Sequence, residues 1–442
     1  MHRVVIIGGG FGGLRAAQAL KRAPVEVLLI DRRNFHLFQP LLYQVATGAL
    51  SPANIAAPLR AILKNQRNTE VFLGEVTDID VAARKVIAGE HHIPYDTLIV
   101  ATGSRHHYFG HDEWERLAPG LKTVEDATQI RRRVLMAFEN AEREADDPQR
   151  VREYLTFVIV GAGPTGVELA GALSEIAHHT LKGNFRRIDP SQSTILLIEG
   201  ADRVLPPFVP KLSAAAADAL QRLGVTLRLN AKVTAIREGE IEVEADGKTE
   251  TIRARTVLWA AGVMASPLGK ILGKATGIAV DKAGRIPVEP DLSLKGHPEL
   301  FVVGDMAVCA GTDGKPRPGI APVAMQQGTY AAKLIAARLR GATLAPFHYH
   351  DRGTLATIGR SSAVADLVWV KFSGLLAWLA WLFIHILYLV AFQNRILVVI
   401  QWAGNYFTRN RSARLITEPP LRSDTEAHEK AVAESATQQH PR

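Results

Sequence analysis

Apolar residues along this chain fall into two kinds of run. The first kind is short and unbroken: VVII at 4–7, VEVLLI at 25–30, TLIV at 97–100, FVIV at 157–160, ILLI at 195–198, VLW at 257–259 and LFVV at 300–303. Runs of this length without alternation predict strands buried on both faces, as in parallel sheets. The second kind is one long stretch near the end. From Phe372 to Asn394 there is no Asp, Glu, Lys or Arg, and LLAWLAWLFIHILYLVAF alone is 18 residues long. A bilayer span needs roughly 20 apolar residues, so this stretch sits at the threshold.

Several of the short runs lead into glycine-rich turns that are as regular as the runs themselves. HRVVIIGGGFGGLRAAQALKR reads as strand, glycine turn and helix, with G-x-G-x-x-G on Gly8, Gly10 and Gly13. Glycines there let the backbone turn tightly and approach a pyrophosphate, while the helix start offers free N–H donors. The next strand ends in Asp31, 23 residues after Gly8, where an acid can accept from ribose hydroxyls. LTFVIVGAGPTGVELAGALSEI repeats the construction with Gly161, Gly163 and Gly166, and TILLIEG ends its strand at Glu199. A negative charge at that place repels a 2′-phosphate and predicts a preference for NADH over NADPH. YDTLIVATGS and RTVLWAAGV each end an apolar strand in a small-residue turn, at Ala101, Thr102 and Gly103 and at Ala261 and Gly262. Such turns let a backbone pass close beside a bound group. ELFVVGDMA brings Gly304 and Asp305 to a strand end, where the carboxylate suits ribityl hydroxyls. Two dinucleotide turns in one chain suggest a flavin and a nicotinamide.

Composition narrows the class. The 442 residues suffice for two or three domains, and 47% hydrophobic with 22% charged residues is ordinary for a globular chain. The excess of 52 Lys and Arg over 44 acids, +8 in all, suits an anionic partner. With no dense basic helix and no zinc spacing, nucleic acid is not expected to be that partner, and no metal site is expected. The single cysteine, Cys309, cannot make an internal disulfide or a redox dithiol and reads as a buried thiol. A strand beginning at residue 3 leaves no room for a secretory signal, so the nucleotide domains are expected in the cytosol.

These motifs resemble the two-dinucleotide-binding flavoproteins and, more narrowly, the type II NADH:quinone oxidoreductases. The narrower likeness rests on FHLFQPLLYQVATGALSPANIA (35–56), GAGPTGVELAGAL (161–173), GDMA (304–307), APVAMQQGTYAA (321–332) and FTRNRSARLI near the end, and covers about residues 3–416. It implies an α/β fold of two Rossmann-like domains, the second inserted in the first, with a C-terminal membrane-anchoring helical segment. The expected limits are 1–113 and 286–345 for an FAD domain, 114–285 for an NADH domain, 346–420 for a membrane-associated part and 421–442 for a disordered tail. The implied activity is hydride transfer from NADH to FAD and then two electrons to a membrane quinone, without proton pumping. The lone cysteine excludes the disulfide reductases and the sulfide:quinone reductases. A soluble flavoprotein reducing a protein carrier, and a slow redox sensor, remain as rivals that turnover with a short-chain quinone separates.

The resemblance also assigns residues. The nucleotides are expected on Gly8, Gly10, Gly12, Gly13, Asp31, Arg32, Tyr43, Gln44, Gly48, Ala101, Thr102, Gly103, Gly161, Gly163, Pro164, Thr165, Gly166, Glu199, Ala261, Gly262, Gly304, Asp305, Ala324 and Met325. Tyr43, Gln44 and Gly48 would line the mouth shared by flavin and quinone. The chemistry falls to Glu168, near the nicotinamide–flavin contact, and to Gln326 and Gln327 on a helix expected from about Pro322 to Arg340. Gln326 is expected to offer its amide to a quinone carbonyl. The family motif has a second glutamine where this chain has Pro322, which leaves only a backbone role there. Four of the six tryptophans lie between 369 and 402, as befits a membrane interface. The break at Gln393, Asn394 and Arg395 favours helices lying in one leaflet over a span, with Arg409, Arg411 and Arg414 placed for anionic headgroups. The expected location is the cytoplasmic face of the cell inner membrane; a homodimer is compatible with it.

Overall fold

In the computed structural model, residues 1–311, 314–390, 392–408, 411 and 413–417 are described. Each glycine turn stands on its own parallel sheet. The first runs Thr69–Leu73, Val25–Asp31, His2–Ile7, Thr97–Val100 and His297–Val302, with Ser293–Leu294 added antiparallel at the edge. The second runs Val225–Arg228, Thr194–Ile198, Thr156–Val160 and Thr256–Trp259, parallel throughout. The strand order is the same in both, with the glycine-turn strand third from one edge.

The short unbroken runs are explained by cover on both faces. Val4 and Ile6 point into a core with Leu14 and Ala17 of the helix Phe11–Ala19 and with Ala331 and Leu334 of the helix Ala321–Arg338. Val5 and Ile7 point the other way, into a core with Ile79, Val86 and Ile93. Those three come from a meander of Asp78–Asp80, Lys85–Ala88 and His91–Pro94. The second unit repeats the plan: Phe157 and Ile159 face its helices, while Val158 and Val160 face a meander of Ala231–Arg237, Glu240–Ala245 and Lys248–Arg253. Strand identity therefore follows from period-two burial on two apolar faces.

One crossing joins the units, where Ser104–His106 pairs antiparallel with Val263–Ala265. After it the chain is already back in the first unit: Ala265, Leu268 and Leu272 pack in the core with Val5 and Ile7. The expected limit of the inserted domain at 285 places these residues on the wrong side, because LGKILGKAT is an amphipathic helix that suits either sheet.

The expected helix at Pro322 is Ala321–Arg338, with Pro322 in its first turn, where no intrahelical donor is lost. Beyond it lies a three-stranded antiparallel sheet, Thr354–Ile358, Ser362–Asp366 and Lys371–Gly374, which the apolar pattern does not mark. The long apolar run does not form one rod. It divides into helices Leu375–Tyr388 and Phe392–Thr408, broken by extended backbone at Leu389 (φ −59°, ψ 130°). Among the described residues no helix is long and apolar enough to cross a membrane. Residues 421–442, expected as a disordered tail, lie outside the described residues.

Candidate functional site

The two glycine turns match each other residue for residue. Gly8 N donates to Ile30 O at 2.8 Å and Gly161 N to Ile198 O at 2.7 Å, tying each turn to its neighbouring strand. Both glycines lie in the left-handed region, at φ +102° and +99°, and a Cβ on either would meet backbone of the facing small-residue turn at 2.5 Å (Ala101 O) and 2.7 Å (Ala261 N). A Cβ on Gly13 would fall 1.8 Å from Gly8 O, and one on Gly166 1.8 Å from Gly161 O. These four positions need glycine for the protein's own sake. Gly10 and Gly163 do not: a Cβ there would meet nothing within 4 Å. The open space over the middle glycine, at a helix start, leaves room that an anionic group such as a pyrophosphate could occupy.

The acids are placed alike. Asp31 Oδ2 accepts from Gly9 N at 2.5 Å and Oδ1 from Arg33 N at 2.7 Å. Glu199 Oε2 accepts from Ala162 N at 2.7 Å and Oε1 from Ala201 N at 3.0 Å. Each carboxylate thus braces its own glycine turn. Arg32 points away, 3.7 Å from Glu75 in an exposed ion pair. His36, inside the stretch FHLFQPLL but given no role there, is buried with Nδ1 2.9 Å from Gly9 O, and burial holds its pKa below the usual value.

Around the first turn the remaining elements close in. Gly12 lies against Val303 and the carbonyl of Ala324, and Gly328 against Gly12 O at a distance only a bare Cα permits. Met325 follows Ala324 in the helix Ala321–Arg338. Asp305, in the turn Gly304–Met306, accepts from Ser104 Oγ at 2.5 Å, and Lys122 Nζ lies 2.9 Å from that hydroxyl. Burial lowers the Lys122 pKa, with the Asp305 charge opposing. Ser104 and Lys122 stand in the stretches ATGS and LKTVED. Nothing in their spacing links them to Asp305, far along the chain.

Two of the residues expected to act chemically are committed elsewhere. Gln327 is buried, and its Oε1 accepts from Gly304 N at 2.7 Å, so it holds the Asp305 turn. Gln326 donates to His350 O at 2.9 Å and accepts from His350 N at 3.0 Å. Both ends of its amide are closed on one backbone residue, which corrects the expectation of an amide free for quinone. The reason is rotational: Gln326 and Tyr330 share the helix face turned to the segment after residue 344, where Tyr330 donates to Ala345 O. Cys309 is a buried thiol, as expected, with its pKa raised by burial.

Glu168 is where the second turn meets the C-terminal sheet. Burial pushes its carboxyl pKa up to about 8, with the nearby Thr357 backbone opposing the rise. Beside it, Tyr43 and Gln44 are buried, on the short helix Leu42–Ala46. They line a cavity of about 90 Å³ together with Ala172, Glu175, His179, Arg360, Trp378, Trp381, Trp402 and Arg411. Gly48, at φ +68°, lies under Ala413 and Arg414, and Ala413 N donates to Gly48 O. Arg411 and Glu175 form an ion pair at 2.9 Å with both side chains 10% exposed, and Arg411 also donates to Thr47 O. Arg414 donates to Arg411 O and to Asn184. Arg411 is spent on closing the cavity rather than held out for headgroups, contrary to expectation, while Arg414 stands outside the cavity and braces Arg411 from behind; Arg409 lies outside the described residues.

Comparison with known proteins agrees with this arrangement. Residues 2–328 match the family model described as pyridine nucleotide-disulphide oxidoreductase, and residues 351–410 match the NDH2 C-terminal domain. The chain is 48% identical over 425 residues to the type II NADH:quinone oxidoreductase Ndh of Mycobacterium tuberculosis, covering 94% of this chain and 90% of that one. It is 30% identical to the type II NADH:quinone oxidoreductase of Staphylococcus haemolyticus, over 82% of this chain and 89% of that one. In three dimensions it is similar to NDH2 from Plasmodium falciparum solved in complex with NADH, at TM-score 0.83 and 19% identity, covering 94% of this chain and all of that one.

Proposed function

The chain belongs to the type II NADH:quinone oxidoreductases, and on that premise we propose that its two like turns hold unlike guests: FAD as a resident cofactor over Gly8–Gly13, NADH as a substrate over Gly161–Gly166. The observation that carries this is the pair of middle glycines. Gly10 and Gly163 face empty space that no protein atom requires, whereas the flanking glycines of both turns are demanded by neighbouring backbone. Held over Gly8–Gly13, FAD would supply the hydride-accepting and electron-passing chemistry between NADH and quinone, and the protein would supply placement and electrostatics.

The chain's own residues then divide the work. Asp31 and Glu199 fix the turns and present carboxylate to ribose hydroxyls. Asp305, held by Ser104 and by the turn that Gln327 braces, would accept from ribityl hydroxyls. The start of the helix Ala321–Arg338, beside Gly12 and Gly304, would turn the positive end of its dipole toward a flavin held there and so favour negative charge on it. Glu168, neutral below about pH 8 through burial, holds a proton on its carboxyl where the second turn meets the C-terminal sheet. We assign 1–113 with 266–345 to the FAD domain, 114–265 to the NADH domain and 346–420 to membrane association.

The membrane reading rests on one surface. Leu376, Leu379, Phe383 and Leu387 recur on one face of the first C-terminal helix and are 47–71% exposed; Ile396, Leu397, Val399 and Ile400 of the second are 41–62% exposed. A contiguous apolar face of this kind suits helices lying in one leaflet, on the cytoplasmic side of the inner membrane. Lipid attraction is then chiefly apolar, since the Arg411 charge is spent on Glu175. Steady-state NADH oxidation with and without a short-chain quinone tests the function. Quinone-dependent turnover supports it; NADH oxidation indifferent to quinone removes it.

A further inference from the structure

The strongest unused feature of the cavity is a chain of three buried side chains whose hydrogen-bond order is forced. Trp402, on the second C-terminal helix, donates from Nε1 to Gln44 Oε1 at 2.6 Å. Gln44 in turn donates from Nε2 to the Tyr43 hydroxyl oxygen at 2.9 Å. All three are no more than 9% exposed. An indole N–H is a donor only, so the amide oxygen must face Trp402 and the amide nitrogen must face Tyr43. The Tyr43 oxygen is therefore an acceptor toward Gln44, and its own proton has to point elsewhere. No described residue accepts it, and the side chain lines the cavity. A second observation marks the same wall: Trp381, also lining the cavity and 2% exposed, has an indole N–H without a partner among the described residues.

We propose that Tyr43 is the hydrogen-bond donor to the quinone carbonyl oxygen, and that Trp402, acting through Gln44, is the positioning residue that keeps its proton turned into the cavity. This rests on the NADH:quinone reading above and adds to it that a side chain of the membrane-facing helix sets the polarity of the quinone site. Burial raises the Tyr43 pKa, with Glu168 adding to the rise, so the hydroxyl keeps its proton. The charged groups that face Tyr43 are Glu168 and Glu175 from the helix Pro164–Glu175 and Arg411 from the closing segment.

The test uses the flavin-loaded, full-length enzyme in detergent, with a short-chain ubiquinone as probe and rapid mixing to follow flavin reduction and reoxidation separately. Tyr43→Phe should slow reoxidation on the order of 10²-fold, the usual loss for one donor to developing oxyanion charge, with reduction by NADH unchanged. Gln44→Glu is the decisive variant, since it changes shape little and reverses the order. Its carboxylate accepts from both Trp402 and Tyr43, pulling the hydroxyl proton out of the cavity; once protonated, the carboxyl can accept from one and donate to the other again. The ratio of variant to parent reoxidation should therefore be low at pH 8 and recover about tenfold as pH falls, since a weakened donor loses less than a deleted one. Trp402→Phe should lose several-fold at every pH. A pH-independent ratio for Gln44→Glu, or unchanged reoxidation in Tyr43→Phe, overturns the proposal while parent turnover with quinone leaves the function intact. A parent enzyme whose flavin no quinone reoxidises overturns the underlying reading instead.

Discussion

The turns at Gly8–Gly13 and Gly161–Gly166 share strand order, acid placement and glycine geometry, yet their surroundings differ. Around the first, the sheet carries a fifth parallel strand, and Val303 just beyond it together with the helix Ala321–Arg338 presses on Gly12. The second sheet stops at its fourth strand, Thr256–Trp259, and Thr165, the counterpart of Gly12, is partly exposed behind an exposed Pro164. Enclosure on one side and openness on the other match a guest that stays and a guest that comes and goes. On the proposed reading, the motif selects the kind of group and the packing around it separates a resident from a visitor.

The largest effects should come from the glycines that the backbone itself demands. Gly13→Ala forces a Cβ into Gly8 O and should yield protein without flavin; Gly166→Ala should keep its flavin yet lose NADH oxidation by at least about 100-fold, as a misplaced reactant commonly does. Flavin absorbance per chain and anaerobic bleaching by NADH read the two outcomes. Equal loss of flavin in both variants would erase the distinction between the turns. A milder change sharpens it. Gly163→Ala meets no protein atom, so its melting temperature should be unchanged while the KM for NADH rises roughly tenfold, the cost of crowding a phosphate contact; a fall in melting temperature would show that the space serves folding.

Glu168 sets up a pH comparison between the two sides. Its folded pKa of about 8 lies above the ordinary value of 4.5, so the folded state holds a proton that the unfolded chain releases between those values. Stability is therefore lost as pH rises from about 4.5 toward 8, and level above. Glu168→Gln, which cannot ionise, should gain on the parent across that window by about 3 kcal/mol at the plateau, after discounting for partial solvent access. Urea unfolding at pH 5, 6.5 and 8.5 measures it, and a constant difference would contradict a buried neutral carboxyl. Gln327→Leu should cost about 1–3 kcal/mol in the same urea unfolding by leaving Gly304 N without its acceptor. Glu199→Gln keeps one turn bond and removes the charge, so it should narrow the NADH-over-NADPH preference about tenfold, equivalent to about 1.4 kcal/mol. Gln326→Ala is the smallest: with its amide closed on His350, quinone reoxidation of the flavin should change less than about threefold, within the range of surface substitutions.

The parts of this molecule legible in the chain are those with local causes. Gly8, Gly13, Gly161 and Gly166 are forced by backbone contacts within one strand–turn–helix unit or against one facing turn, and a short-range pattern reports them. Asp31 and Glu199 end strands that pair with the turn strand, so register alone places them. Features that depend on rotation or long separation stay hidden. Gln326 and Gln327 sit one helical position apart and serve different walls, which no motif distinguishes. Ser104, Lys122 and Asp305 meet only because two sheets share a crossing, and Trp402 reaches Gln44 across 358 residues. The return of Ala265, Leu268 and Leu272 to the first core is equally hidden, because amphipathic spacing says that a helix is buried, not against which sheet.

A resident flavin on one turn and a transient nicotinamide on the other are tested most directly by exhaustive dialysis of the parent, Gly13→Ala and Gly166→Ala proteins, followed by flavin quantitation and NADH titration. The expected result is a single FAD per chain in the parent and in Gly166→Ala, none in Gly13→Ala, and NADH binding that is reversible in the parent and lost in Gly166→Ala. Flavin retained by Gly13→Ala and lost from Gly166→Ala would contradict it, reversing the two turns.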